Sequence, residues 1–188
     1  MLDPNKNTWI KDLPNQLTLF RIAVIPIFIL LAPWDYTPLN YFAGALFALA
    51  SITDWFDGFI ARTFKAESAL GAMLDPIADK LIVGAALVVL AARYQSYSPL
   101  FAILITREIA INGLRLIALE RGITVSVNSF GKIKTVFIDT AITCLTVGTN
   151  LFGWPWMEVG FISLLLGTIL SLYSALLYWQ NFSKQTSI

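Results

Sequence analysis

Six long apolar runs separated by short polar breaks set the pattern of this chain, at residues 17–33, 39–61, 70–92, 98–119, 132–152 and 157–179. Each approaches the roughly 20 apolar residues that a helix needs to cross about 30 Å of hydrocarbon. The breaks fall at APWDYTP, RTFKAES, RYQSYSP, ERGITVSVNSFGKIK and FGWPWME, where turn-forming or charged residues gather. The pattern predicts an all-α integral membrane protein: a bundle of six transmembrane helices forming a single domain over residues 1–188. Residues 1–16 are polar, with Trp9, Ile10 and Leu13 spaced for a short interfacial helix before the first span. This stretch holds no apolar core ahead of a small-residue cleavage site, so it does not resemble a signal peptide.

Composition agrees. The chain is 57% hydrophobic and only 13% charged, against about 25% charged in ordinary soluble domains, and its mean hydropathy is +0.70. A large soluble domain has no room. The net charge of +1 says little, but its distribution says more. With six spans, Arg93 falls on one side and the other twelve lysines and arginines on, or in helix ends facing, the opposite side. Cytoplasmic loops carry the excess of such residues, which places both termini and the segment around residues 54–79 in the cytoplasm, as in a bacterial-type inner membrane. Trp34, Trp154, Trp156 and Trp179 near the span ends fit aromatic belts.

The residue inventory narrows the chemistry. Cys144 is the single cysteine, which excludes an intrachain disulfide and a cysteine metal cluster. There is no histidine, which removes imidazole general bases, Ser-His-Asp triads and most zinc sites. Any reaction must rest on carboxylates, lysine, arginine and hydroxyls.

Against that background, Asp54, Asp57, Asp75 and Asp79 stand out, a third of the 12 acidic residues within one short stretch. Charge in or beside a bilayer is expensive and needs a reason. If the exit of the second span is helical, Asp54, Asp57, Gly58 and Ala61 share one face at i, i+3, i+4 and i+7. Gly71, Asp75 and Asp79 share a face of the third span at i, i+4 and i+8. The small residues on those faces let backbones or a bulky ligand approach closely. Four converging carboxylates raise one another's pKa unless a cation compensates them. Oxygen donors alone favour Mg²⁺ or Mn²⁺, which commonly hold phosphate oxygens as well. Two such ions would suit phosphoryl transfer at the cytoplasmic membrane surface. The plainer alternative makes these aspartates solvated helix ends, or partners of Arg62, Lys65 and Lys80.

Asp54-x-x-Asp57-Gly58-x-x-Ala61-Arg62, then eight residues, then Gly71-x-x-x-Asp75-x-x-x-Asp79, resembles in every fixed position the signature of the CDP-alcohol phosphatidyltransferases. The six-span pattern is similar to that family's membrane domain over nearly the whole chain. The resemblance implies displacement of CMP from a CDP-linked lipid by an alcohol. It implies metal ligation by Asp54, Asp57, Asp75 and Asp79, with Asp79 also as the general base. Gly58, Ala61, Arg62 and Gly71 would line the CDP site, and a homodimer is expected on this ground alone. Asn15, Thr18 and Arg21 lie on roughly one side of the first helix, where they either reach the nucleotide or phosphate or simply form the polar start of a span.

Three further stretches, PNQLTLFR, TREIAINGLR and SFGKIKT, resemble the branch of the family whose acceptor is glycerol 3-phosphate. They supply Arg107, Arg115, Lys132 and Lys134 for an acceptor phosphate, which arginine can grip as a bidentate fork. Positive-inside anchoring is the alternative for the two lysines. Arg107 sits well inside its span, where an arginine faces a polar cavity or a partner. Glu108 points elsewhere on a helix, which leaves Asp139 as a candidate partner. One departure is Ile138, where many relatives carry glutamine. The expected activity is transfer from CDP-diacylglycerol to sn-glycerol 3-phosphate. Within the family the alternatives are phosphatidylglycerol, in a cardiolipin-type synthase, and inositol phosphate. A divalent-cation transporter is the alternative from another class, disfavoured by the clustering of the aspartates at one membrane face.

Overall fold

The structure, a computed structural model, describes residues 8–34, 36–64, 69–122, 130–148 and 153–186. Six helices follow one another: α1 (Thr8–Leu31), α2 (Thr37–Phe64), α3 (Ala69–Arg93), α4 (Ser98–Glu120), α5 (Phe130–Val147) and α6 (Trp156–Thr186). A single 3₁₀ turn, Gln95–Tyr97, leads into α4. No strand occurs among the described residues, and each of the six predicted runs falls on one helix.

Two local expectations change. The interfacial segment is not separate, because α1 runs unbroken from Thr8 and takes in Trp9, Ile10 and Leu13. Pro14 lies between that stretch and the span and lacks the N–H that would bond to the previous turn, yet the helix passes through it. Helix α5 stops at Val147 and not at 152. Gly148 has φ +67°, and its N–H bonds to the Cys144 carbonyl at 3.0 Å, a left-handed helix stop. A Cβ there would lie 2.7 Å from the Tyr94 hydroxyl and 3.3 Å from the Leu145 carbonyl, so glycine is required twice over. Pro76 lies inside α3, beyond its first turn. It therefore removes the hydrogen bond its N–H would have given to the previous turn.

Among the described residues one helix, over Trp156–Gln185, is long and apolar enough to cross a membrane by itself; Gln16–Leu31 is apolar but shorter. Helices α3, α4 and α5 carry charges inside their apolar runs, which is why hydropathy alone does not mark them as spans.

The chain divides into two compact units, residues 1–89 and 90–188. In the first, α1 packs along α2. Val24, Phe28 and Ala32 form one fully buried stripe and Ala43, Phe47 and Ala50 another. Phe28 meets Phe47 with ring centroids 5.6 Å apart. In the second unit, α5 lies along α6 in the most extensive helix pairing described, and α4 also packs on α6. Gly160 and Gly167, two turns apart on α6, permit that approach. A Cβ on Gly160 would sit 2.9 Å from Leu145 Cγ, and one on Gly167 3.0 Å from Ile138 Cγ1. Small residues at such crossings let helices meet backbone to side chain. Ile138 thus serves as apolar wall of this seam, 7% exposed. Arg93, the lone cation assigned to the far side, also has a local task. Its Nη1 donates to the Thr146 carbonyl at 3.0 Å, while the Tyr94 hydroxyl donates to the Leu145 carbonyl at 2.8 Å. Together they satisfy carbonyls that the end of α5 would leave bare.

Candidate functional site

The carboxylate motif is carried entirely by helix. Asp54, Asp57, Gly58, Ala61 and Arg62 lie in the C-terminal end of α2, and Gly71, Asp75 and Asp79 in the N-terminal part of α3. Helical backbone through both stretches makes the i, i+3, i+4, i+7 and i, i+4, i+8 spacings one face of each. The side chains of Asp54, Asp57, Arg62 and Asp75, the environments of Gly58, Ala61 and Gly71, and the side chain of Asn15 lie outside the described residues. The donor set suits a hard divalent cation: four carboxylates at helical spacing in a chain without histidine, whose one cysteine is buried in α5.

Asp79 is the motif aspartate whose side chain is described. It accepts a hydrogen bond from Arg21 Nη1 at 3.1 Å, across 58 residues of sequence. The Arg21 side chain is 1% exposed and that of Asp79 46%. A buried guanidinium is costly without a partner, so this ion pair ties α1 to α3 and orients the carboxylate from its buried side. Thr18, one turn before Arg21, is also buried. The expectation that this face of α1 reaches toward a nucleotide or phosphate is therefore answered, for Arg21, by a carboxylate.

In the second unit, α4, α5 and α6 enclose a cavity of about 230 Å³ lined by Arg107, Arg115, Lys132 and Lys134. The four cations named from the sequence, drawn from two helices, are brought to one place. Arg107 is held from three directions. Its Nε donates to the Ser171 carbonyl at 3.0 Å, its Nη2 to Ser174 Oγ at 2.9 Å, and its Nη1 to Glu108 Oε2 at 2.8 Å. Lys134 Nζ donates to that same Glu108 oxygen at 2.7 Å. The carboxylate beside Arg107 is thus Glu108 and not Asp139, which corrects the reading that Glu108 points away. Adjacent helical residues leave the axis about 100° apart, yet two long side chains can close that angle when a second cation, Lys134, draws the carboxylate inward. Arginine has five N–H donors; three of them are engaged here, leaving two for a ligand.

Glu108, Ser171, Ser174, Tyr178 and Asn181 were not read from the sequence as site residues. A signal existed for four of them. Ser171, Ser174, Tyr178 and Asn181 recur every three or four residues along one face of the otherwise apolar α6, and all but Ser171 line the cavity.

Residues 11–176 match the family model of the CDP-alcohol phosphatidyltransferases. The CDP-diacylglycerol–glycerol-3-phosphate 3-phosphatidyltransferase of Bacillus subtilis (strain 168) is 38% identical over 188 aligned residues, covering 92% of this chain and 94% of its own. The protein of the same description from Escherichia coli (strain K12) is 37% identical over 172 residues, covering 89% of this chain and 92% of its own. That from Shigella flexneri serotype 5b matches to the same extent.

Proposed function

Because the chain belongs to the CDP-alcohol phosphatidyltransferase family, we propose that it transfers the phosphatidyl group of CDP-diacylglycerol to sn-glycerol 3-phosphate. The products are phosphatidylglycerophosphate and CMP. The observation that carries the acceptor is the cavity. Four cations around a single carboxylate, Glu108, leave a formal excess of three positive charges, which a phosphomonoester dianion compensates and an uncharged alcohol does not. The names of the relatives at 37–38% identity point to the same acceptor.

In the proposed reaction the acceptor phosphate lies against Arg107, Arg115, Lys132 and Lys134. Arg107 is locked by α6 and Glu108, so its two remaining N–H groups are presented in a fixed orientation, which lowers the entropy cost of holding the acceptor. Asp79, oriented by Arg21, accepts the proton of the primary hydroxyl as that oxygen bonds to the lipid-side phosphorus of the diphosphate. The bond from that phosphorus to the bridging oxygen breaks, and CMP leaves with the electron pair. Gly58, Ala61, Arg62 and Gly71, with Asn15 and Thr18 of α1, form the CDP-binding part of the site. Members of the family generally depend on a divalent metal. Mg²⁺ or Mn²⁺, as two ions on Asp54, Asp57, Asp75 and Asp79, would supply neutralisation of the diphosphate charge.

The six helices are proposed to span a bacterial cytoplasmic membrane, with both termini and the active site on the cytoplasmic side and two copies forming a homodimer. The twelve-to-one distribution of lysine and arginine supports that orientation.

The test is CMP release by the purified full chain in detergent with CDP-diacylglycerol and Mg²⁺ or Mn²⁺. Glycerol 3-phosphate, glycerol, phosphatidylglycerol and inositol phosphate are offered in parallel. CMP with glycerol 3-phosphate alone is the expected result. Turnover of another acceptor instead keeps the family and removes the assigned substrate.

A further inference from the structure

The cavity wall contributed by α6 differs in kind from the other two. Helices α4 and α5 bring its charged groups, whereas α6 contributes only neutral ones, with Ser174, Tyr178 and Asn181 as the polar members. These sit at i, i+4 and i+7, one face of the helix. Ser174 is committed, since its Oγ accepts from Arg107. Tyr178 is not. The residue is 9% exposed and lines the cavity; its hydroxyl bonds to no described residue and, unlike Ser171 Oγ, is not a buried orphan, so it keeps an accessible edge. A phenol with a packed ring and an accessible hydroxyl at a cavity wall has one donor and one acceptor to offer there. Asn181, one turn further on, adds an amide able both to donate and to accept.

Resting on the acceptor assignment above, we propose that Tyr178, assisted by Asn181, binds the secondary hydroxyl of the acceptor and so sets which phosphorylated alcohol is used. The chemistry leaves that one group unaccounted for. The phosphate meets the cations and the primary hydroxyl attacks, while the secondary hydroxyl is carried into the cavity between them and needs a partner of its own. The phenol and the hydroxyl satisfy each other. The volume agrees: about 230 Å³ lies below the range of roughly 300–1,000 Å³ of pockets for drug-sized ligands, and it suits a three-carbon phosphate better than a ring polyol or a lipid. A site that hydrogen-bonds a substrate hydroxyl rejects the analogue lacking it, because the site's own polar group is then left unpaired.

The experiment compares sn-glycerol 3-phosphate with 3-hydroxypropyl phosphate, which keeps the phosphate and the attacking hydroxyl but lacks the secondary one. The full chain is assayed for CMP release with CDP-diacylglycerol, as wild type and as Tyr178→Phe. The wild type is expected to prefer glycerol 3-phosphate by at least about tenfold in kcat/KM. Tyr178→Phe should lose about that factor on glycerol 3-phosphate alone and leave 3-hydroxypropyl phosphate unchanged, so that the preference falls toward unity. Should Tyr178→Phe fail to fold, the exposed Asn181→Ala reports on the same preference, with an expected drop of about threefold. Equal use of both acceptors by the wild type overturns the proposal and leaves the acceptor assignment standing. So does a variant that keeps its preference, or one that loses equally on both compounds, which would make Tyr178 a packing residue. Failure of the wild type to use either compound removes the acceptor assignment itself, and this inference with it.

Discussion

In residues 1–89 most groups assigned to the donor, all its carboxylates among them, lie along two helices consecutive in the chain, α2 and α3, with Asn15 and Thr18 added from α1. In residues 90–188 the groups assigned to the acceptor come from α4, α5 and α6, with partners as far apart as Arg107 and Ser174, and they are cations in excess. Among the described residues, each region holds a partial compensation of its own. Arg21 answers Asp79 in the first, and Glu108 answers Arg107 and Lys134 in the second. Among the described residues, the cavity of the second region keeps its cations in excess of its one carboxylate. Buried or half-buried charge that a protein leaves uncompensated is the charge its ligand must meet. On the proposed assignment, a divalent cation and a diphosphate would complete the first region and a phosphomonoester the second.

Separating the two imbalances tests the comparison most directly. Asp79→Asn keeps the shape of the side chain and removes its ability to take a proton. It should reduce CMP release by about a thousandfold or more, while glycerol 3-phosphate still raises the thermal midpoint of the full chain. Loss of acceptor binding together with turnover would show that the two regions are not functionally distinct. Arg107→Ala should do the reverse. It removes the guanidinium held by α6 and leaves Glu108 with Lys134 alone, so kcat/KM for glycerol 3-phosphate should fall about a hundredfold, mostly through KM. Arg107→Lys should recover little, because an ammonium cannot reach Ser171, Ser174, Glu108 and a phosphate together. Strong recovery by lysine would mean that only the charge matters there.

The helical setting of the first region was legible because its information is local. Helical spacing of small residues and aspartates is visible in a single stretch, and the absence of histidine and of clustered cysteine narrows the ion. Its one long-range element, Arg21 on Asp79, was not assigned, because nothing in PNQLTLFR indicates which carboxylate lies 58 residues away. The cavity was only half legible. Arg107, Arg115, Lys132 and Lys134 stood out as charge in apolar runs, yet Glu108 was turned the wrong way, because ideal helix geometry ignores the reach of long side chains. The α6 wall was lost among ordinary polar residues of an apolar helix. Ile138 shows the same limit from the other side. It reads as a departure from a polar position, and only the approach of Gly167 explains an apolar residue there.

A smaller effect is expected at the compensating residues themselves. Arg21→Lys keeps the charge beside Asp79 and loses the planar fork. It should lower kcat by about tenfold and leave the KM for glycerol 3-phosphate unchanged, a split that a general loss of folding would not produce. Similar changes in both constants would reduce Arg21 to a structural anchor.

Glu108→Gln is the finest of these tests, because two opposite effects meet in it. Removing the carboxylate raises the positive excess of the cavity, which by itself strengthens the pull on a phosphate and steepens its dependence on salt. It also weakens the hold on Arg107 and Lys134, since a neutral amide oxygen is a poorer acceptor than a carboxylate for two charged donors. If Glu108 acts by aiming the cations, orientation wins, and the KM for glycerol 3-phosphate rises about threefold at low salt. If Glu108 instead stands in for the missing anion, the KM falls, because the acceptor no longer competes with it for Arg107 and Lys134. The geometry favours aiming. Arg107 is already tied to Ser171 and Ser174 of α6, so Glu108 completes an existing clamp, and two of the five arginine donors stay open to a phosphate without displacing it. KM measured over a series of ionic strengths separates the two outcomes, since the aiming role predicts a higher KM at every salt concentration and the stand-in role a lower one at low salt that disappears as screening sets in.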